Sequence, residues 1–153
     1  GELLEEGVEV MRQVWRGGMV EHHGRHFSFP ELAMAPVPVA PIPVWIGGRS
    51  EVALRRAARY DGWIGSGDTP ESAAQALARL RAHRTAAGLV AQPFEAIVAV
   101  SGQPDRDLYR HLEADGATGF VSYPPAYTLG AGCSLDAKRR AIADWIAKAK
   151  AKA

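Results

Sequence analysis

The chain opens with hydrophobic residues at helical spacing. Four of them recur every three or four positions and so share one face of an amphipathic helix, which we place at residues 1–17: Leu4, Val8, Met11 and Trp15. The segment that follows is rich in glycine, proline and histidine, a composition that interrupts regular structure. We therefore predict a long irregular loop over residues 18–42, with a small hairpin near residues 23–29.

Beyond this loop, apolar runs of strand length alternate with helical patterns. The runs are PVWI from Pro43, GWIG from Gly62, FEAIVAVS from Phe94 and TGFVSYP from Thr118. Each run is followed by a predicted helix, at residues 51–60, 70–87, about 104–114 and from 135 onward. The last helix carries Leu135, Ile142 and Ile146 on one face.

The strand and helix units over residues 43–153 favour one arrangement. Strands that each lead into a helix are typically parallel, joined by right-handed crossovers, and neighbours in space when they are neighbours in sequence. We therefore expect an α/β fold with four parallel strands in the order 1-2-3-4 and with helices on one face. At 153 residues the chain is expected to form a single domain.

Composition narrows the function classes. The chain is 47% hydrophobic with a formal charge of +1, so nothing draws it generally to nucleic acid or to an anionic membrane. Its apolar runs are too short to span a bilayer. Cys133 is the single cysteine, which excludes an internal disulfide and favours a reducing, cytoplasmic location. Three loop histidines lack cysteine or carboxylate partners at ligand spacing, so we expect no metal site at His22, His23 or His26.

A Gly-Gly pair lies between the first of these strands and its helix. Gly47 and Gly48 end the strand, and Ser50 is placed to cap the helix that follows. Free backbone N–H groups and the positive end of a helix dipole converge at such a turn, and glycine lets an anion approach closely. An isolated pair of glycines also serves simply to allow a tight turn, so this signal alone leaves both roles open.

The surrounding residues carry a family resemblance. The run PIPVWIGGRSEVALRRAARYDGWIG at residues 41–65, with the preceding loop HGRHFSF at residues 23–29, resembles the C-terminal half of the luciferase-like monooxygenase superfamily, especially its deazaflavin-dependent members. That resemblance implies a (β/α)8 TIM barrel. The chain would supply half of it, barrel strands 5 to 8, with the helices on the outside.

The resemblance also implies a cofactor site. The phosphate of FMN or of the deazaflavin coenzyme F420 would bind the turn after the fifth barrel strand, beside the end of the sixth, which together comprise Gly47, Gly48, Arg49, Ser50, Ile64, Gly65 and Ser66. Substrate contacts are expected from the loop residues His23 and His26 and from Tyr123, although the Tyr123-Pro124-Pro125 run would equally serve to stop its strand. Catalytic residues are not assigned, because the first four barrel strands are absent from the sequence.

The expected function is therefore the cofactor-phosphate half of a flavin- or deazaflavin-dependent oxidoreductase or monooxygenase acting on a small organic substrate. The chain begins without an initiator methionine, directly in a helix, so we expect a piece of a larger protein that is inactive alone. A non-catalytic half-barrel that binds a ligand or assembles with a partner is the alternative. An open response-regulator-like domain is a third possibility, but the acidic cluster it needs is missing.

Open strand edges would also affect behaviour in solution. The concave face of a half-barrel would expose apolar side chains that the missing strands normally cover. The candidates are Trp45 or Val44, Trp63 or Ile64, Val98 and Phe120. We therefore expect a homo-oligomer, or association with the N-terminal half of the barrel.

Overall fold

The computed structural model describes residues 1–101, 105–121 and 129–150. It divides into two compact units, Gly1–Val44 and Trp45–Ala153. The first holds a helix and a β-hairpin, and the second holds the parallel sheet with its helices.

The first unit is a helix followed by an antiparallel hairpin. Helix α1 spans Glu2–Trp15, β1 spans Val20–His23 and β2 spans Ser28–Leu32. The Glu6 carboxylate accepts hydrogen bonds from the backbone N–H groups of His26 and Phe27 and contacts the His22 ring at 3.2 Å. The hairpin is therefore tied to α1, and it occupies more of the predicted irregular loop than the sequence indicated.

The second unit is a four-stranded parallel sheet in the order β3-β4-β5-β6. This confirms the predicted parallel α/β sheet and its sequential order. The strands are β3 (Trp45–Gly47), β4 (Gly62–Ile64), β5 (Glu95–Val98) and β6 (Gly119–Phe120). The helices are α2 (Glu51–Ala57), α3 (Pro70–Ala86), α4 (Arg106–Asp115) and α5 (Leu135–Lys150).

Side chains at the helix ends explain where the helices begin and stop. Ser50 caps α2 by accepting from the Ala53 N–H at 3.2 Å, as predicted. Thr69 and Ser72 form a reciprocal capping box at the start of α3, where Pro70 takes the first helical position. Helix α2 ends at Ala57, earlier than predicted.

The two faces of the sheet differ in burial. Register pairs place Ile46, Trp63, Ala96 and Val98 on one face, and all four are buried. The opposite face carries Trp45, 42% exposed, and Ile64, 37% exposed. The expectation that Val98 and Phe120 lie on the uncovered face is therefore wrong, because the register places Val98 with the buried set and pairs Phe120 with it, where Phe120 packs on Tyr109 of α4.

Helix α5 differs from the other helices in burial. Ser134 caps it by accepting from the Ala137 N–H at 3.2 Å. Its apolar positions remain exposed, however, namely Leu135, Ile142 and Ile146. Within the described residues, no helix combines the length and the apolar character that crossing a membrane requires.

A buried arginine closes the end of α3. Arg84 is 7% exposed, and its guanidinium donates to the carbonyl oxygens of Ala58, Leu89 and Gln92 while lying 4.3 Å from the centre of the Phe94 ring. Burial lowers the pKa of this guanidinium, but its ordinary pKa is so high that it stays charged. The guanidinium thus donates to carbonyl oxygens in two loops, one that follows α2 and one that follows α3.

We expect Arg84→Ala to lower the free energy of unfolding by about 3 kcal/mol, since the carbonyl oxygens of Ala58, Leu89 and Gln92 lose a charged donor that is itself buried. Arg84→Lys should recover only part of this, because one ammonium lacks the planar fork that reaches several acceptors. Arg79→Ala is the matched control on the same helix. Arg79 is exposed and forms only a 3.9 Å ion pair with Glu51, so the change should stay within about 0.5 kcal/mol. Urea unfolding measures all three, and equal losses for Arg79→Ala and Arg84→Ala would contradict this role.

Candidate functional site

Two turns meet at the carboxyl edge of the parallel sheet. Gly47, the last residue of β3, pairs in register with Ile64, the last residue of β4. The turns that follow these strands therefore begin at the same level. The structure brings together all seven residues that the sequence placed at the cofactor, which are Gly47, Gly48, Arg49, Ser50, Ile64, Gly65 and Ser66. Of these, Gly65 is buried and the others are exposed.

The side chain of Trp63 contacts both turns from within the core. Trp63 is fully buried, and its indole Nε1 donates to the carbonyl oxygen of Gly48 at 2.8 Å. The ring also lies directly against Gly65, where an added Cβ would come within 2.7 Å of Cη2. The Gly65 N–H in turn donates to the Ile97 carbonyl at 2.8 Å. The two turns are thus fixed by contacts with the core.

Gly48 has a backbone conformation that suits glycine alone. Its φ is +110°, and a Cβ at this position would lie 2.8 Å from the Cβ of Ala53. Gly47, in contrast, has only ordinary contacts with Ile64 at 3.8 Å. The conformation of the turn therefore requires glycine at Gly48, whereas the space around Gly47 would accept a side chain.

Arg49 connects the first turn to the second. Its Nη1 donates to the Gly67 carbonyl at 3.4 Å and lies 3.6 Å from Oδ1 of Asp68. The Arg49 side chain remains 54% exposed, whereas Asp68 is fully buried. The guanidinium therefore keeps donors accessible to solvent beside the glycine turn.

Asp68 is the unexpected member of this site. Both of its carboxylate oxygens are buried, and neither makes a hydrogen bond of ordinary length and angle with a described residue, although the Arg49 guanidinium and the Ser66 N–H are nearby. Its backbone joins a third strand end, since the Asp68 N–H donates to Ala99 and its carbonyl accepts from the Ser101 N–H. Burial raises the pKa of Asp68, and the Arg49 guanidinium and the Ser66 backbone N–H oppose that rise only in part.

Sequence reasoning missed Asp68 for an identifiable reason. It directly precedes the helix cap Thr69 and Pro70, where an aspartate is typical of an ordinary polar turn. Its burial arises from contacts with the Gly65 backbone and with the end of β5, which lies about 30 residues along the chain. No local signal in the sequence marks it.

A shallow cavity of about 170 Å³ lies on the other side of Arg49, between α2 and α3. Its lining also includes Leu54, Ser72, Gln75, Ala76 and Arg79. Arg79 is 3.9 Å from the Glu51 carboxylate, which also contacts the His83 ring at 2.7 Å. The charged residues of the lining are therefore Arg49 and Arg79, and each lies close to a carboxylate, that of Asp68 at 3.6 Å and that of Glu51 at 3.9 Å.

The sequence also predicted three substrate residues. His23 and His26 belong to the hairpin of the first unit, where His23 Nδ1 contacts the Ser28 hydroxyl at 3.1 Å and His26 Nε2 lies 3.8 Å from Glu2. Their role in binding substrate stays a prediction. Tyr123 lies outside the described residues. Among the residues that are described, no three histidine, cysteine or carboxylate side chains cluster as metal ligands would.

Comparison with known proteins identifies the family. The sequence pattern of the luciferase-like monooxygenase family matches residues 1–117, and the chain belongs to this family. An uncharacterized protein of Mycobacterium tuberculosis is 36% identical over 131 residues, covering 85% of this chain and 45% of that protein. Pyrimidine monooxygenase RutA of Acinetobacter baylyi is 26% identical over 122 residues, covering 76% of this chain and 33% of RutA. The chain therefore matches less than half the length of either relative.

One solved structure has a related fold. The coenzyme F420 dependent tetrahydromethanopterin reductase from Methanopyrus kandleri superposes with a TM-score of 0.55 at 19% identity. The match covers 68% of this chain and 31% of the reductase. At this level of identity, the likeness concerns the α/β fold.

We expect Gly48→Ala to destabilise the second unit by about 1–3 kcal/mol, because the added methyl meets Ala53 and a positive φ disfavours a side chain. Gly47→Ala is the paired control, and it should change stability by less than about 0.5 kcal/mol. Urea unfolding measures both. Equal effects of the two changes would show that the conformation of Gly48 is unimportant to the turn.

The burial of Asp68 predicts a pH-dependent stability. Because the folded state raises the Asp68 pKa, the native protein binds this proton more tightly than the unfolded chain does. Stability contributed by Asp68 is therefore greatest below its ordinary pKa and is lost as pH rises through the folded value. We expect Asp68→Asn to have a higher melting temperature than wild type at pH 7, with a gap that narrows toward pH 4. Asp107→Asn, at an exposed position, is the control, and a gap that widens on acidification would contradict the burial effect.

Proposed function

We propose that this chain is the C-terminal half of a (β/α)8 barrel, carrying barrel strands 5 to 8. In this proposal it holds the phosphate of F420 or FMN in an oxidoreductase of the luciferase-like family that acts on a small organic substrate. The single observation that carries the proposal is the junction of the two turns at residues 47–50 and 64–66. Barrel enzymes place their sites at this edge, the carboxyl end of the strands.

The uncovered face of the sheet supports the half-barrel. Parallel sheets are normally covered on both faces. Here one face is packed with helices, while Trp45 and Ile64 on the other stay partly exposed. Both relatives also extend well beyond the part that matches this chain, which is 45% of one and 33% of the other. In the proposed protein, the remaining strands cover these residues and complete the barrel, and an assembly of several copies is a further way to cover them.

The glycine turn supports the phosphate contact. Gly48 exposes its backbone at positive φ, and the N–H groups of Glu51 and Val52 at the start of α2 have no acceptor inside the helix, while Ser50 caps that of Ala53. Helix α2 has only seven residues, so its dipole adds little. Arg49 then supplies the formal positive charge beside the turn. Backbone amides with one accessible guanidinium are suited to a phosphate group.

The cofactor would supply the redox chemistry, hydride transfer or oxygen activation, and the protein would supply its position and surroundings. The reductase with the related fold depends on coenzyme F420, which favours F420 here, and the likeness to RutA favours a monooxygenase reaction. The described residues of this chain bind and orient in this proposal. Groups that move protons in the reaction are expected on the barrel strands outside this chain.

The test compares each cofactor with its phosphate-free counterpart, and the FMN and riboflavin pair differs in the phosphate alone. The full-length protein is titrated with FMN and riboflavin, and with F420 and its phosphate-free deazaflavin core, while cofactor fluorescence is followed. We expect the phosphate-bearing member of one pair to bind about a hundredfold more tightly, from charge-assisted contacts. The advantage should shrink with added salt. Equal affinity within both pairs would remove the phosphate site, and self-association without binding of any of the four ligands would favour the non-catalytic module.

A further inference from the structure

We propose that Asp68 is a positioning residue that holds the Arg49 guanidinium beside the two turns, ready for an anionic group of the cofactor. The inference rests on the proposed function and adds to it a residue that neither the sequence pattern nor the family match identifies. It is carried by the geometry of one ion pair, in which a fully buried carboxylate faces a half-exposed guanidinium at 3.6 Å.

The first step is that Asp68 does not stabilise the fold through its side chain. Neither oxygen makes a hydrogen bond of ordinary length and angle with a described residue, and both are shielded from solvent. A buried acceptor without a partner costs stability, and a buried charge costs more. An asparagine or serine at this position would avoid the charge. We therefore expect the carboxylate to have a role other than stabilising the fold.

The second step is that Asp68 itself is held firmly. Its N–H donates to Ala99 at 2.9 Å, and its carbonyl accepts from Ser101 at 2.8 Å. Its Oδ2 lies over Gly65, where an added Cβ would come within 2.2 Å of that oxygen. The carboxylate is consequently fixed relative to β4 and β5, and it presents a stationary negative charge at the edge of the sheet.

The third step concerns Arg49, a long side chain on an exposed turn. Without a partner such a side chain samples many rotamers, and ordering it on ligand binding costs conformational entropy. Its Nη1 is directed at the Gly67 carbonyl and at Asp68, which uses one of five guanidinium N–H donors. The remaining donors stay available to an anion. The pair thus orders Arg49 in advance of binding.

The first experiment needs no cofactor. In the full-length protein, NMR follows the guanidinium signals of Arg49, with Arg55, an exposed arginine of α2, as the internal comparison. Slow, separated Nη signals are expected for Arg49 in wild type, and averaged signals like those of Arg55 in Asp68→Asn. Averaged Arg49 signals in wild type, or no change in Asp68→Asn, would overturn the proposal.

The second experiment is a double-mutant cycle on cofactor affinity, measured by fluorescence titration. Arg49→Ala should weaken binding about tenfold and Asp68→Asn about threefold to fivefold. In the Arg49→Ala background, Asp68→Asn should have no further effect, because Asp68 acts through Arg49. Arg55→Ala, which removes the same charge from α2, controls for long-range electrostatics. Additive losses, or an Asp68→Asn affinity equal to wild type, would overturn the positioning role.

The two proposals fail separately. If the wild-type protein binds neither FMN nor F420, the proposed function is wrong, and the NMR comparison still decides whether Asp68 orders Arg49. If the cofactor binds and the cycle shows no coupling, the function stands and the positioning role is wrong. Thermal unfolding adds a further check. A purely structural Asp68 would lower the melting temperature when replaced by asparagine, whereas a positioning residue held at a cost to stability would not.

Discussion

The buried indole of Trp63 is the contact on which the geometry of the candidate site depends. A buried tryptophan N–H needs an acceptor, and here the acceptor is the Gly48 carbonyl of the neighbouring strand's turn. The same ring packs against Gly65 and so fixes the position of the second turn. Core packing between the sheet and its helices therefore positions the two turns that line the carboxyl edge. The hydrophobic core thus determines the geometry of the candidate site.

Whereas Trp63 both packs in the core and positions the site, Asp68 occupies the site at a cost to stability. Its carboxylate is buried at the same edge and is compensated chiefly by a guanidinium that is itself half exposed. Proteins tolerate such local conflicts where function demands them, and the surrounding structure must then supply the stability. The capping box at Thr69 and Ser72 and the well-satisfied Arg84 lie at the two ends of α3 and provide that support. Helix α3 is therefore the rigid element on which the second turn rests.

Features that depend on residues close together in the sequence could be predicted, whereas features that depend on contacts between distant residues could not. The strand and helix units, the cap at Ser50 and the Gly-Gly turn depend on residues close together in the sequence, and the sequence predicted them correctly. The face of each strand was harder to predict. FEAIVAVS is apolar almost throughout, so the sequence lacks the alternation that would have placed Val98 among the buried residues. The burial of Asp68 depends on contacts with β5 and Gly65, and no pattern near Asp68 records them.

Ile64 links the sheet face to the candidate site. It is the last residue of β4, its side chain lies on the uncovered face, and the next residue begins the second turn. In the proposed barrel, a cofactor anchored by its phosphate at the turns would extend its ring over this face, toward the barrel interior. The apolar surface that needs covering and the surface that meets the cofactor are then continuous. The proposal thus assigns the anchoring groups to this chain and the reactive groups to the strands on the far side of the barrel.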